Sequence, residues 1–106
     1  MLNQKKFDTK VAEFMNDSII QVDVSLGSQT ITANGNITRE GVDISSSIPN
    51  GYKAVAAVLR TIGNNAWNFY TLNYNGNGTV TYQIRSYVNS STTATPSINV
   101  ICVKTP

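Results

Sequence analysis

An all-β fold, a β-sandwich of jelly-roll-like topology behind one short helix, is predicted by three features of this 106-residue chain. The first is composition. Asn, Ser and Thr number 13, 10 and 12, while charged residues make up only 13%, about half the usual share for soluble domains. Asn, Ser and Thr compete for backbone hydrogen bonds inside helices, whereas Thr suits strands and Asn suits turns. The second is periodicity. From Ile19 onward apolar residues recur at every other position, the mark of half-buried strands. The third is punctuation, with Pro49-Asn50-Gly51, Gly63-Asn64-Asn65 and Asn75-Gly76-Asn77-Gly78 supplying turn chemistry between the runs. Strands at this spacing build a sandwich or barrel of roughly seven or eight strands.

Residues 1–17 stand apart from that pattern. They hold three of the five lysines (Lys5, Lys6, Lys10) and three of the six acids (Asp8, Glu13, Asp17). Phe7, Val11, Phe14 and Met15 fall on one face of a helix, with Asp8 placed to cap its start. A helix this short needs a partner for its apolar stripe. Two placements follow: against the β domain, or bundled with the same segment of neighbouring subunits. The division is therefore a helical connector over 1–18 and a sandwich over 19–106.

Within the sandwich, Ile20, Val22, Val24 and Leu26 alternate with polar residues as a first strand ended by Gly27. Thr30–Ala33 is a short second strand leading to Asn34-Gly35, a strong two-residue hairpin signal. Ile37 and Thr38 form either its return strand or a loop, and Val42 and Ile44 alternate toward the next turn. Ala54 to Leu59 contains no polar residue. Too short for a membrane span, it reads as the central strand, covered on both faces. Ala66–Tyr74 and Thr79–Val88 form a hairpin, Asn89–Pro96 a polar loop, and Ile98–Val103 the closing strand.

The hairpin leaves one register question. A three-residue loop with Gly78 in the left-handed conformation places Tyr70, Leu72 and Tyr74 beside Val80, Tyr82 and Ile84. Trp67 and Phe69 then share the outer face with Arg85 and Tyr87. A loop of two or four residues reverses the parity and sends Trp67 and Phe69 inward.

Little here supports catalysis. The chain has no His, which removes the commonest general base and metal ligand. Cys102, its one cysteine, excludes an internal disulfide and reads as a small buried hydrophobe. Glu40 and Asp43 are close in sequence, but solvated loop charges explain them. Asn34-Gly35-Asn36 and the Asn75–Gly78 turn lack the carboxylates of calcium loops. No enzyme, cofactor or metal is expected. A net charge of +2 is too small and scattered to point to nucleic acid or to an anionic membrane. The N-terminus has no apolar stretch after its lysines, so it is not a signal peptide. The chain is expected to be made in the cytoplasm or to be a piece of something longer.

Surface aromatics give the better lead. A sugar shows apolar C–H faces ringed by hydroxyls, so its site needs a flat ring beside neutral hydrogen-bonding groups. Trp67, Tyr70, Tyr74, Tyr82 and Tyr87, with abundant Asn, Gln and Thr, supply that combination. The competing role for the tryptophan is core or interface.

Thr30-Ile31-Thr32-Ala33-Asn34-Gly35, Ile48-Pro49-Asn50-Gly51-Tyr52-Lys53-Ala54-Val55, an Asn-rich hairpin and a terminal apolar strand follow one another over roughly residues 25 to 104. In this order they resemble the C-terminal domains of tail and baseplate minor structural proteins from phages and prophages of Gram-positive bacteria. The Pro-x-Gly-Tyr-Lys segment is the most telling piece. The resemblance implies a receptor-binding head: a compact sandwich, commonly trimeric, that attaches the virion to host cell-wall or capsular saccharides. It also implies location in the phage tail and contact with other tail or baseplate proteins. It brings no catalytic residue and no binding residue that maps position by position. The short N-terminal segment departs from the long shaft of such proteins.

The expected ligand site lies near Trp67, Arg85 and Tyr87, flanked by the Asn64-Asn65 turn and the Asn89–Thr93 loop. Its role is glycan attachment; the alternative is a purely structural virion part, with the same aromatic face serving as trimer interface.

Overall fold

The computed structural model describes residues 18–106, and within them the period-two runs are strands. These are β1 (Ile19–Ser25), β2 (Gln29–Ile31), β3 (Asn36–Asp43), β4 (Tyr52–Thr61), β5 (Trp67–Tyr74), β6 (Thr79–Ser86), β7 (Thr92–Ala94) and β8 (Ser97–Lys104). A single 3-10 turn, Ser45–Ser47, separates β3 from β4. The expected helix over Phe7–Met15, and all of the 1–18 connector but Ser18, lie outside the described residues.

The strands nest. β1 runs antiparallel to β8, β2 to β7 and β3 to β6, so the first and last parts of the domain form one long folded ribbon. At its inner end β4 leaves to join β8, and β5 joins β6. The result is two three-stranded sheets, β1-β8-β4 and β3-β6-β5, with the short β2-β7 pair between them. This is an all-β sandwich with the winding of a jelly roll. Asn34-Gly35 does not make the expected hairpin, because β2 and β3 pair with different strands and not with each other. It is instead the bend of the ribbon: Asn34 is left-handed at φ 51, and its amide donates to the Val88 carbonyl. Ile37 and Thr38 belong to the eight-residue β3. The polar loop after Asn89 contains a strand, β7, whose Thr93 hydroxyl bonds that of Thr30 at 2.8 Å.

The core lies between the sheets. β6 supplies Val80, Tyr82 and Ile84, β8 supplies Ile98, Val100 and Cys102, and all six are essentially inaccessible. Phe69 packs edge-on against Tyr82 with ring centroids 5.9 Å apart. Burial pushes the Cys102 thiol up, away from the reactive thiolate.

Ala54–Leu59 is not the centre. β8 is the middle strand of its sheet, and β4 is an edge. Val55, Val58 and Leu59 are 45%, 47% and 48% exposed, so the run is not covered on both faces. The ladder to β8 shifts between Ala54 and Ala56 and again between Leu59 and Thr61; such bulges discourage pairing with a further strand. We therefore expect the amides of β6 and β8, which are flanked by strands on both sides, to exchange most slowly in native-state hydrogen exchange. Slower exchange across Ala54–Leu59 than across Ile98–Cys102 would contradict this strand order.

Candidate functional site

The two outer faces of the sandwich differ in chemistry. On the β1-β8-β4 side, Ile19, Val55 and Val58 are exposed and Ile101 and Val103 half-buried. One ion pair joins the two edge strands there, Arg60 Nε to Asp23 Oδ1 at 3.2 Å. The other face is set by alternation along β6. With Val80, Tyr82, Ile84 and Ser86 turned inward, Thr81, Gln83 and Arg85 turn out. Asn36 and Asn68 stand opposite Arg85, Thr38 and Thr71 opposite Gln83, and Asn73 opposite Thr81. This face is almost wholly neutral and hydrogen-bonding.

Two tyrosines rise from it. The β5–β6 turn is the three-residue loop expected, with Gly78 left-handed at φ 78, Asn75 N–H bonded to the Thr79 carbonyl, and Tyr74 opposite Val80. The ladder then slips: Leu72 faces Tyr82 and Thr71 faces Gln83, yet Phe69 faces Ile84. Tyr70 is the extra residue. This bulge resolves the register question in a way neither simple loop length allows, since Leu72 and Tyr74 point inward and so do Trp67 and Phe69. Tyr70 is pushed outward and is 46% exposed.

Tyr87 follows β6 and extends its ladder, donating its amide to the Ala66 carbonyl. Its side chain is 53% exposed, and its hydroxyl lies 2.7 Å from that of Tyr70. That shared hydrogen bond lowers the Tyr70 hydroxyl and raises that of Tyr87. The Arg85 guanidinium sits 5.2 Å from the centre of the Tyr87 ring, within cation–π range. Together these three side chains form a hydroxyl-bearing aromatic cluster beside Asn36 and Asn68.

Of the residues expected at the site, Arg85 and Tyr87 meet here. Trp67 does not. It is 4% exposed, and its Nε1–H donates to Thr92 Oγ1 at 2.9 Å in the interior; the bulge at Tyr70 turned it inward. Asn64 is occupied by its own turn, its side-chain oxygen accepting from Ala66 N–H at 2.8 Å. Asn65 is exposed in that turn. Asn89 accepts from Asn34 Nδ2 at 2.9 Å, which ties the β6–β7 loop to the ribbon's bend. Tyr70, placed inward by the three-residue register, is exposed, while Trp67 and Phe69, placed outward by it, are turned in. The only signal of this exchange is the run Trp67-Asn68-Phe69-Tyr70, whose apolar residues break strict alternation.

At the opposite end of β5, an open cleft of about 360 Å³ lies between the β3–β4 connection and the hairpin turn, with Tyr52, Tyr74, Asn50 and Lys53 in its walls. Asp43 does not face a second acid in a catalytic arrangement; it accepts from the Ser45 hydroxyl at 2.7 Å and the Ser45 amide at 2.9 Å. Those bonds hold its carboxyl below the usual range. Among the described residues no helix is long and apolar enough to cross a membrane, and no three His, Cys, Asp or Glu side chains gather as metal ligands. Comparison with family models, curated proteins and solved structures finds no match for the chain.

Proposed function

We propose that this domain is a non-enzymatic attachment module of a phage tail that holds the virion to a saccharide of the host surface. The observation that carries the reading is the outer face of the β3-β6-β5 sheet. There, two exposed, hydroxyl-linked tyrosines stand on a sheet surface of Asn, Gln and Thr. Aromatic faces take the C–H side of a sugar ring, and the neutral amides and hydroxyls take its hydroxyls. The opposite face, which exposes Ile19, Val55 and Val58 beside the Arg60–Asp23 ion pair, has the chemistry of a protein contact. It fits assembly into a homotrimer and seating among other tail or baseplate proteins. That face also favours the second reading, a structural virion domain with protein partners alone.

Adsorption to host cell walls separates the two. The domain is expected to bind isolated walls, and Tyr87→Ala to weaken binding about tenfold, the effect of losing one aromatic contact of about 1–1.5 kcal/mol. Tyr87 is largely solvent-exposed, so the variant should melt close to the parent. Absence of wall binding by the parent domain supports the structural reading, and undiminished binding by Tyr87→Ala moves the ligand off this face.

A further inference from the structure

We infer that the group recognised on this face is anionic, a carboxylate or phosphate borne by the saccharide, and that Arg85 is its receptor. The inference rests on the attachment reading and narrows its ligand. Arg85 lies near one end of the β3-β6-β5 sheet, on its middle strand, with Asn36 on one side and Asn68 on the other. No acidic side chain neutralises it among the described residues; the ion pair they contain, Arg60 with Asp23, lies on the other sheet. Its Nε is shut off from solvent and has no hydrogen-bond partner. An arginine is costly to bury even in part when a donor goes unpaired, and a neutral sugar-binding surface has no need of one.

Its placement suits an oxyanion. Contact with the Tyr87 ring at 5.2 Å holds the guanidinium by stacking, and with Nε shut off from solvent the terminal Nη–H groups are the donors a ligand can meet. The neighbouring amides of Asn36 and Asn68 and the hydroxyl pair of Tyr70 and Tyr87 add further neutral donors. A carboxylate or phosphate matches a guanidinium fork better than any sugar hydroxyl does. The chain has three arginines, and this one stands on a face otherwise lined by amides and hydroxyls.

The test uses the full chain and three probes: glucose, glucuronate and glucose 6-phosphate, titrated while following amide and arginine side-chain resonances. Glucuronate or glucose 6-phosphate is expected to bind about tenfold or more tighter than glucose, the effect of a charge-assisted hydrogen bond. The preferred probe of the two tells carboxylate from phosphate. Added salt should shrink the preference. Arg85→Gln should abolish it, and Arg85→Lys, which keeps the charge without the fork, should restore part of it. Equal binding of all three probes, binding of none, or a preference that survives Arg85→Gln overturns the anionic assignment. If Arg85→Gln fails to fold, a reduced preference in Arg85→Lys supports the assignment and an undiminished one overturns it. Continued, Tyr87-dependent adsorption to host walls alongside any such failure leaves the attachment reading standing, whereas loss of both removes it.

Discussion

Trp67→Ala is expected to destabilise the domain by about 3–5 kcal/mol, the cost of emptying a buried aromatic site. A small domain is stable by only about 5–15 kcal/mol, so much of the fold's margin goes with this one side chain. Trp67 is 4% exposed at the start of β5, opposite the fully buried Ser86. Its Nε1–H is satisfied by Thr92 on β7, so the indole ties the β3-β6-β5 sheet to the short pair that links the two sheets. Trp67→Phe keeps most of the apolar area and forfeits that hydrogen bond, worth about 0.5–1.5 kcal/mol. Urea unfolding followed by circular dichroism measures both losses. The parent's tryptophan emission should also shift to the red as the one indole leaves the core. A Trp67→Ala variant with an unchanged midpoint would falsify its role as a core anchor. Any loss of ligand binding in this variant follows from lost structure, since the indole does not reach the Tyr70–Tyr87 face.

Gly63→Ala should cost about 2–5 kcal/mol, more than the same change at Gly76. Gly63 sits in the β4–β5 turn at φ 86, where any L side chain is strained, and an added Cβ would lie 3.2 Å from both Ala94 Cβ and the Thr95 backbone. Conformational strain accounts for about 1–2 kcal/mol and overpacking for about 1–3 kcal/mol. Gly76 is the internal control. Its φ is 89, but nothing lies within 4 Å of its added Cβ, so Gly76→Ala should cost only the strain, about 1–2 kcal/mol. The difference between the two melts isolates the packing of the β4–β5 turn on the β7–β8 connection. Equal losses would mean that Ala94 and Thr95 move aside freely.

Much of the fold was written in local chemistry. Alternation on Val22-Val24, Val80-Tyr82-Ile84 and Ile98-Val100-Cys102 marks strands with one buried face, and the structure buries one member of each pair along them. Gly78 demanded a left-handed residue at the end of a three-residue loop, and the hairpin closes that way. Such features depend on a residue's own backbone preference or on its nearest neighbours, so they can be read without knowing what packs above them.

What only the tertiary structure decided was sheet position and the slip of one ladder. The apolar run Ala54–Leu59 carries the same local signal whether its strand is central or at an edge. Ribbon winding placed β8 between β1 and β4, and β4 was left at the rim with Val55 and Val58 exposed. The candidate site turned on a single inserted residue. Arg85 and Tyr87 were legible because the alternation of β6 continues unbroken to Ser86. Tyr70 and Trp67 exchanged faces because β5 bulges between Phe69 and Thr71. A side-chain period of two converts one extra residue into a reversal of every face beyond it. Whether the chain takes that bulge depends on burying Trp67 and Phe69 together with Leu72 and Tyr74. That gain is made across the sandwich, against residues distant in sequence, and no local pattern within β5 records it.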